Sequence, residues 1–194
     1  MEKKMKKICV FCGSSPGANP NFMKMAKELG KEIAERKIEL IYGGSNLGLM
    51  GAVAQSALEN GGIVTGIMPR IFDGRVEHPE LSELHIVETM HERKAMMSDM
   101  ADAFIALPGG MGTFEELLEV VTWAQIGFHS KPCGVLNVDG YYDKLLAFLD
   151  ESVQQRFVWP AHREMLMCDS TSVGLLEQFN NYQAPIIDKW RDRK

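Results

Sequence analysis

Residues 102–125 read DAFIALPGGMGTFEELLEVVTWAQ and predict a strand, a tight loop and a helix in direct succession. The apolar run 103–107 is typical of a buried strand, and apolar residues recur at helical spacing over 117–124. Between these segments stand Pro108 and three glycines within four positions. Glycine permits positive φ and lets a ligand approach the backbone with no Cβ in the way.

This loop is suited to an anion because it leads into a helix. Thr113 is a preferred N-cap residue, and the first amides of a helix lack intrahelical partners and lie at the positive end of its dipole. Residues 113–116 also fit a capping box, in which Glu116 folds back onto the N-cap amide and has only a structural role. The glycine run is longer than a cap requires, which favours a phosphate site.

The composition indicates one soluble domain. The chain has 194 residues, 45% of them hydrophobic and 24% charged, which is enough for a core without disulfides. A formal net charge of −5 argues against a nucleic-acid polymer as partner and leaves small anionic ligands open. No apolar run approaches the roughly 18 residues of a membrane span, and the start MEKKMKK leads into no signal-peptide core. We therefore expect a cytoplasmic protein with no membrane partner.

The cysteines and histidines do not suggest a metal. Cys9 and Cys12 have redox-motif spacing, but they lie within a predicted buried strand, where positions i and i+3 face opposite sides of the sheet. We expect both to be core residues. The five histidines form neither H-E-x-x-H nor a cluster with cysteine, so we expect no metal and no cofactor.

Strand and helix patterns alternate along the chain. Strands are predicted at 7–12, 38–42, 63–68, 84–88, 103–107 and 133–138, with a short edge strand at 165–168. Helices are predicted at 20–36, 89–100, 113–126, 141–156 and 172–180, with another ending near 59 and a long loop at 70–84. This alternation predicts an α/β fold, a doubly wound parallel sheet in three αβα layers. We expect a single domain over 1–194, frayed at 1–6 and 189–194.

The predicted topology brings several loops to one edge. In a parallel sheet every strand-to-helix loop lies at the carboxyl edge, where ligands bind. The loops 13–17, 43–48 and 108–113 and the helix start at 89–94 should therefore gather there. Three glycine-rich turns at one edge are more than folding requires.

Two common nucleotide motifs are missing. No segment fits G-x-x-x-x-G-K-[ST], so hydrolysis of ATP or GTP by a P-loop is not expected. The loop 13–17 does not fit G-x-G-x-x-G, and the second strand ends in Tyr42 rather than in an acidic residue for a dinucleotide ribose. A mononucleotide therefore remains as the candidate ligand.

Arg93 and Lys94 begin a predicted helix, where the dipole disfavours cations by roughly 0.3 to 1 kcal/mol each. Glu88 and Glu92 could balance them as a solvated group. An anionic substrate bridging this turn and the 108–113 loop would also balance them, and the shared edge favours that interpretation.

Four motifs then become recognisable: CGSS at 12–15, YGGSNLGLMG at 42–51, MHERK at 90–94 and PGGMGTFEE at 108–116. Together they closely resemble the LOG ("lonely guy") family, cytokinin riboside 5′-monophosphate phosphoribohydrolases long mislabelled as lysine decarboxylases. The resemblance covers roughly 7–180.

The resemblance implies a Rossmann-like fold, a homodimer, and hydrolysis of AMP or N6-modified AMP to free base and ribose 5-phosphate. It makes Arg93 and Glu116 the catalytic pair. Glu77 is matched to a family glutamate in a loop whose length differs here, and Ser45 stands where a third glycine is usual. The expected substrate contacts are Gly13, Ser14, Gly43, Gly44, Ser45, Glu77, Met90, Lys94, Pro108, Gly109, Gly110, Met111, Gly112, Thr113, Glu115 and Thr122.

The chemistry of the implied reaction suits these residues. Cleavage of a ribosyl C1′–N9 bond builds oxocarbenium character on the sugar, which a carboxylate such as Glu116 can stabilise while it directs water. The amides of 110–113 would hold the 5′-phosphate. Arg93 should orient Glu116 and keep it ionised.

Two other functions remain open from the sequence. Proteins of this fold carry molybdenum cofactor, so the chain could be a non-catalytic binder of a nucleotide or of that cofactor. A lysine decarboxylase would need a lysine Schiff base with pyridoxal phosphate. Lys94 and Lys131 are the lysines near the predicted loops, and neither has a recognisable setting for it.

Overall fold

The computed structural model describes residues 5–72, 74 and 80–185. In this part of the chain seven strands form one parallel sheet: β1 Lys7–Phe11, β2 Glu39–Tyr42, β3 Val64–Pro69, β4 Glu83–Val87, β5 Ala103–Ala106, β6 Cys133–Leu136 and β7 Leu166–Asp169. The helices that connect and cover them are α1 Pro20–Glu35, α2 Gly48–Glu59, α3 Met90–Met100, α4 Met111–Gln125, α5 Asp143–Gln154, α6 Pro160–Arg163 and α7 Ser172–Asn180.

The strand order places the first and fifth strands side by side. The order is β4-β3-β2-β1-β5-β6-β7, so the chain builds outward from β1 to β4, returns beside β1, and continues outward to β7. β1 and β5 pair from Ile8 opposite Ala103 to Phe11 opposite Ala106. Such a reversal of strand order leaves a crevice at the carboxyl edge.

Side-chain alternation explains why the sheet is covered on both faces. Along β1, Ile8 and Val10 enter the core shared with α1 and α2, whereas Cys9 and Phe11 enter the core shared with α3 and α4. Successive side chains of a strand point to opposite faces, so a continuous apolar run is buried on both. Cys12 packs in the first of these cores, which confirms that Cys9 and Cys12 face opposite sides as free, buried thiols.

The fold agrees with the sequence prediction of a parallel sheet between two layers of helices. The short strand near 165 lies at a sheet edge as predicted. α4 begins at Met111, two residues before the predicted Thr113, because Gly110 provides the extended N-cap backbone. α6 was not predicted; it is a single turn that begins at Pro160, a favoured first helical residue.

Several predictions fall at or beyond the limits of the described residues. Arg70–Phe72 forms a short 3₁₀ turn in the predicted 70–84 loop, and Glu77 lies outside the described residues, as does the tail 189–194. At the other end Lys6 is already hydrogen-bonded, since its amide donates to Asp102 Oδ2 at 2.9 Å. None of the described helices combines the length and the hydropathy needed to cross a membrane.

Candidate functional site

A cavity of about 520 Å³ opens at the carboxyl edge of the sheet, between the loops that follow β1 and β5. The loop after β2 and the first turns of α3 and α4 complete its wall. The predicted site residues that line it are Gly13, Ser14, Gly43, Ser45, Met90, Arg93, Gly110, Met111, Gly112, Thr113, Glu115 and Glu116. A groove of about 720 Å³ beside α7 is larger, but its lining includes the exposed Glu164 and Glu177 and lies away from the glycine loops.

The start of α4 presents free backbone donors to this cavity. Gly110 is the N-cap and has no side chain to accept from the amides of the first turn. A Cβ on Gly110 or Gly112 would meet no atom within 4 Å, so both glycines border open space. The helix dipole adds positive potential at the same point. This end of the cavity is therefore suited to a phosphate.

Thr113 and Glu116 do not occupy the helix positions that a capping box requires. Thr113 is the third residue of α4 and not its N-cap, because the helix begins at Met111. Thr113 is buried, and a Cβ built on Gly109 would lie only 2.1 Å from its Oγ1. The loop backbone is therefore packed tightly onto this hydroxyl. Glu116 is the sixth helical residue, too far along the helix to fold back onto its start.

The Glu116 carboxylate instead pairs with Arg93 of α3. Arg93 Nη1 donates to Glu116 Oε1 at 2.5 Å, and Arg93 Nε donates to the carbonyl of Ile67 in β3 at 3.1 Å. Both residues are 8% exposed. The guanidinium crosses Gly43 so closely that a Cβ there would lie 2.3 Å from Nη2. A buried, doubly anchored ion pair thus forms part of the cavity wall.

Burial raises the pKa of the Glu116 carboxyl above its usual range, and the charge and hydrogen bond of Arg93 oppose the shift. The expected influence of Arg93 is therefore present, but burial outweighs it. A carboxylate with a raised pKa is a stronger proton acceptor than an exposed one.

The two cations at the start of α3 are balanced by carboxylates of α4. Arg93 pairs with Glu116, while Lys94 Nζ contacts Glu115 and lies 3.0 Å from Glu119 Oε1. Burial alone would lower the pKa of Lys94, but its two glutamate partners raise it overall. The predicted negative partner of this turn therefore comes from the protein itself.

The remaining predicted contacts lie outside the cavity lining. Lys94 is held between α3 and α4 by its glutamates, and Thr122 is exposed on α4, where its hydroxyl donates to the Leu118 carbonyl at 2.6 Å. Pro108 and Gly109 line a smaller neighbouring cavity of about 290 Å³. Gly44 is buried beneath the site with a φ of +84°.

Relatives with named activities resemble this chain over nearly its whole length. Residues 50–179 match the family described as "Possible lysine decarboxylase". The cytokinin riboside 5′-monophosphate phosphoribohydrolase LOG7 of Arabidopsis thaliana is 47% identical over 183 residues, which cover 94% of this chain and 84% of the relative. LOG1 of the same plant is 45% identical over 195 residues, covering 100% and 91%. The chain belongs to the LOG family.

Solved structures share the fold of this LOG-family chain at low sequence identity. The molybdenum cofactor binding protein from Rippkaea orientalis superposes with a TM-score of 0.71 at 23% identity, covering 92% of this chain and 98% of that one. The molybdenum cofactor carrier protein of Chlamydomonas reinhardtii gives 0.66 at 20% identity, covering 92% and 100%. These likenesses establish the common fold.

Sequence reasoning missed the apolar wall of the LOG-family cavity. These residues come from strand ends and from loops at the same edge, so proximity to the predicted loops could have indicated them. They are Val10, Phe11, Cys12, Leu47, Met50, Met68, Pro69 and Phe72.

Proposed function

We propose that this LOG-family protein hydrolyses the N-glycosidic bond of AMP or of N6-modified AMP, giving the free base and ribose 5-phosphate. The observation that carries the proposal is the buried Arg93–Glu116 pair, which lies in the wall of the cavity with the uncapped start of α4. Relatives 45–47% identical over most of the chain are named cytokinin riboside 5′-monophosphate phosphoribohydrolases, which supports the assignment.

The 5′-phosphate binds the backbone amides of 110–113. An anion there replaces the missing N-cap acceptor and is stabilised by the helix dipole. Binding of this non-reacting group positions the sugar, so that part of the binding energy is used to orient the bond to be broken.

Glu116 acts on the anomeric carbon. As the C1′–N9 bond breaks, its electrons leave with the base, and water adds to C1′. The Glu116 carboxylate stabilises the cationic sugar and accepts a proton from the attacking water. The departing base takes a proton from solvent, and Glu116 returns its own proton to solvent, so that the carboxylate is regenerated. Arg93 fixes one carboxylate oxygen and thereby orients the other.

The base lies against the apolar wall. Met68 and Met50 provide thioether and methyl surface inside the cavity, and Phe72 and Met90 stand at its rim, 43% and 41% exposed. The flat aromatic ring of a purine base makes favourable contacts with such side chains. The open rim leaves room for a substituent on N6.

The surroundings of Lys94 and Lys131 argue against decarboxylation through a Schiff base. That chemistry needs a lysine amine that faces the substrate. Lys94 is bound by two glutamates outside the cavity lining, and Lys131 Nζ donates to the Ser98 carbonyl at 2.6 Å.

The proposal includes a cytoplasmic homodimer. Its support is a set of exposed apolar residues on α4 and at its C-cap: Met111, Leu118 and Ile126 are 83%, 37% and 38% exposed, and Thr122 lies among them in sequence. A two-fold partner would cover these residues. Sedimentation should give twice the chain mass, and Leu118→Glu should give monomers; a monomeric wild-type protein would refute the dimer.

The free cysteines of the described residues suit a reducing compartment such as the cytoplasm.

The activity test compares substrates with and without the phosphate. Purified protein is incubated with AMP, isopentenyl-AMP and adenosine, and the products are separated by chromatography. We expect free base and ribose 5-phosphate from the nucleotides and at least about 100-fold slower release from adenosine, since effective positioning is lost without the phosphate. Equal rates on AMP and adenosine would refute the phosphate site, and no base from any nucleotide would refute the enzyme.

A further inference from the structure

Three consecutive carbonyl groups at the exit of β5 are each held by a hydrogen bond. The Leu107 carbonyl accepts from Tyr142 Oη at 2.7 Å, the Pro108 carbonyl accepts from the Gly13 amide at 3.0 Å, and the Gly109 carbonyl accepts from Tyr141 Oη. Both tyrosines belong to the segment between β6 and α5. Two of the three donors to the glycine loop thus lie outside the recognisable motifs, and the third, Gly13, belongs to the CGSS motif.

Tyr141 contacts the loop from outside the lining of the candidate active site. The smaller cavity of about 290 Å³ is lined by Tyr141, Phe22 and Gly109, none of which lines the active-site cavity, whereas Gly110 lines both cavities. The Tyr141 ring is fixed by edge-to-face contacts with Phe22 and Tyr142, with centroids 5.4 and 5.0 Å apart.

Peptide geometry relates this bond to the phosphate site. None of the described peptide bonds is cis, and in a trans peptide the carbonyl and the following N–H point in opposite directions. A Gly109 carbonyl held toward Tyr141 therefore directs the Gly110 N–H away from Tyr141, and Gly110 is part of the active-site lining. Glycine permits more backbone conformations than other residues, so a loop of glycines needs such a constraint.

We propose that Tyr141 is a positioning residue for the phosphate site, which aims the Gly110 amide at the substrate phosphate through its bond to the Gly109 carbonyl. This inference rests on the proposed function. It assigns to Tyr141 a contribution to binding of the phosphate and none to the chemical step at Glu116.

Tyr142 provides a matched control. Its hydroxyl makes the same kind of bond to the Leu107 carbonyl, but the next residue is Pro108, which has no N–H to aim. Tyr141→Phe and Tyr142→Phe each remove one hydroxyl and keep the ring. Tyr142→Phe should lower thermal stability because its hydroxyl is buried, and it should leave phosphate binding within about twofold.

The experiment measures kcat and KM for AMP and follows the Gly110 amide by ¹H–¹⁵N NMR during titration with inorganic phosphate. For Tyr141→Phe we expect KM and the phosphate dissociation constant to rise about 3- to 10-fold, the effect of losing one hydrogen bond, with kcat within about twofold. The Gly110 resonance should respond to phosphate in the wild type and respond less in the variant. Slow turnover of adenosine should not change.

The outcomes separate this inference from the proposed function. If the wild type releases base and Tyr141→Phe matches it in KM and in phosphate affinity, the inference is wrong and the function stands. If Tyr142→Phe weakens phosphate binding as much as Tyr141→Phe, the effect is general loosening and the inference is also wrong. A wild type that binds no phosphate and releases no base overturns both.

Discussion

Substitution of Gly43 by alanine should disable the enzyme by displacing Arg93. The new Cβ would lie 2.3 Å from Arg93 Nη2 and 2.4 Å from Met50 Cε, whereas unstrained contacts are roughly 3.5 Å or longer. The methionine methyl can turn aside. The guanidinium is buried and bonded to Ile67 and Glu116, so it must move by about 1 Å and carry the carboxylate with it or release it.

The expected loss follows from that displacement. A misplacement of about 1 Å in a catalytic array can lower the rate roughly 100-fold, and overpacking typically lowers the free energy of unfolding by about 1 to 3 kcal/mol. We therefore expect Gly43→Ala to remain folded and to release adenine from AMP about 100-fold more slowly. Chromatographic assay of adenine and thermal unfolding measure the two effects separately.

A double variant identifies which contact matters. Gly43→Ala with Met50→Ala removes the methionine contact and leaves the arginine contact, so its defect relative to Met50→Ala alone should still be about 100-fold. Recovery in the double variant would show that Met50 was the obstacle. Gly43→Ala with wild-type turnover would refute the argument that the close approach of Arg93 to this glycine matters.

Two further predictions concern the phosphate loop and the ion pair. Gly112→Ala meets no protein atom and should keep or raise stability, by up to about 1 kcal/mol, because alanine favours a helix. Its methyl group borders the phosphate site, so KM for AMP should rise at least about 10-fold, and an unchanged KM in steady-state assays would contradict the phosphate site. Wild-type kcat/KM should fall as the pH drops through the raised pKa of Glu116, which must be ionised to act. Arg93→Met removes the influence that lowers the pKa of Glu116, so this acidic limb should move to higher pH; a shift to lower pH would show that another group titrates.

The fold could be predicted because its determinants are local. The alternation of Ile8 and Cys9 between two cores and the helical spacing in α4 are both visible in the sequence. Parallel topology then places every strand-to-helix loop at one edge, so the gathering of the glycine loops follows without knowledge of side-chain contacts.

The helix start was misplaced because two local signals competed. Thr113 has the side chain of an N-cap, but the extended backbone at Gly110 begins the helix earlier and turns Thr113 inward against Gly109. A preference for one cap residue contributes only about 1 kcal/mol, which tertiary packing can override.

The partners of the charged residues could not be predicted from spacing. Arg93 and Glu116 are 23 positions apart on different helices, and Tyr141 is 32 positions from the carbonyl that it holds. Such contacts depend on how helices cross the sheet, which no local pattern encodes. The family resemblance named Arg93 and Glu116 together, and the structure adds that the two are bonded to each other.

The central claim is that the Glu116 carboxylate performs the chemistry while the loop before it binds the phosphate. The most direct measurement is the single-turnover rate of adenine release from AMP by Glu116→Gln, together with its affinity for ribose 5-phosphate. We predict a rate at least about 100-fold below wild type with affinity changed less than about threefold, because the amides of 110–113 remain in place. Turnover near the wild-type rate would contradict the mechanism, since Glu116 would then be only a buried partner of Arg93.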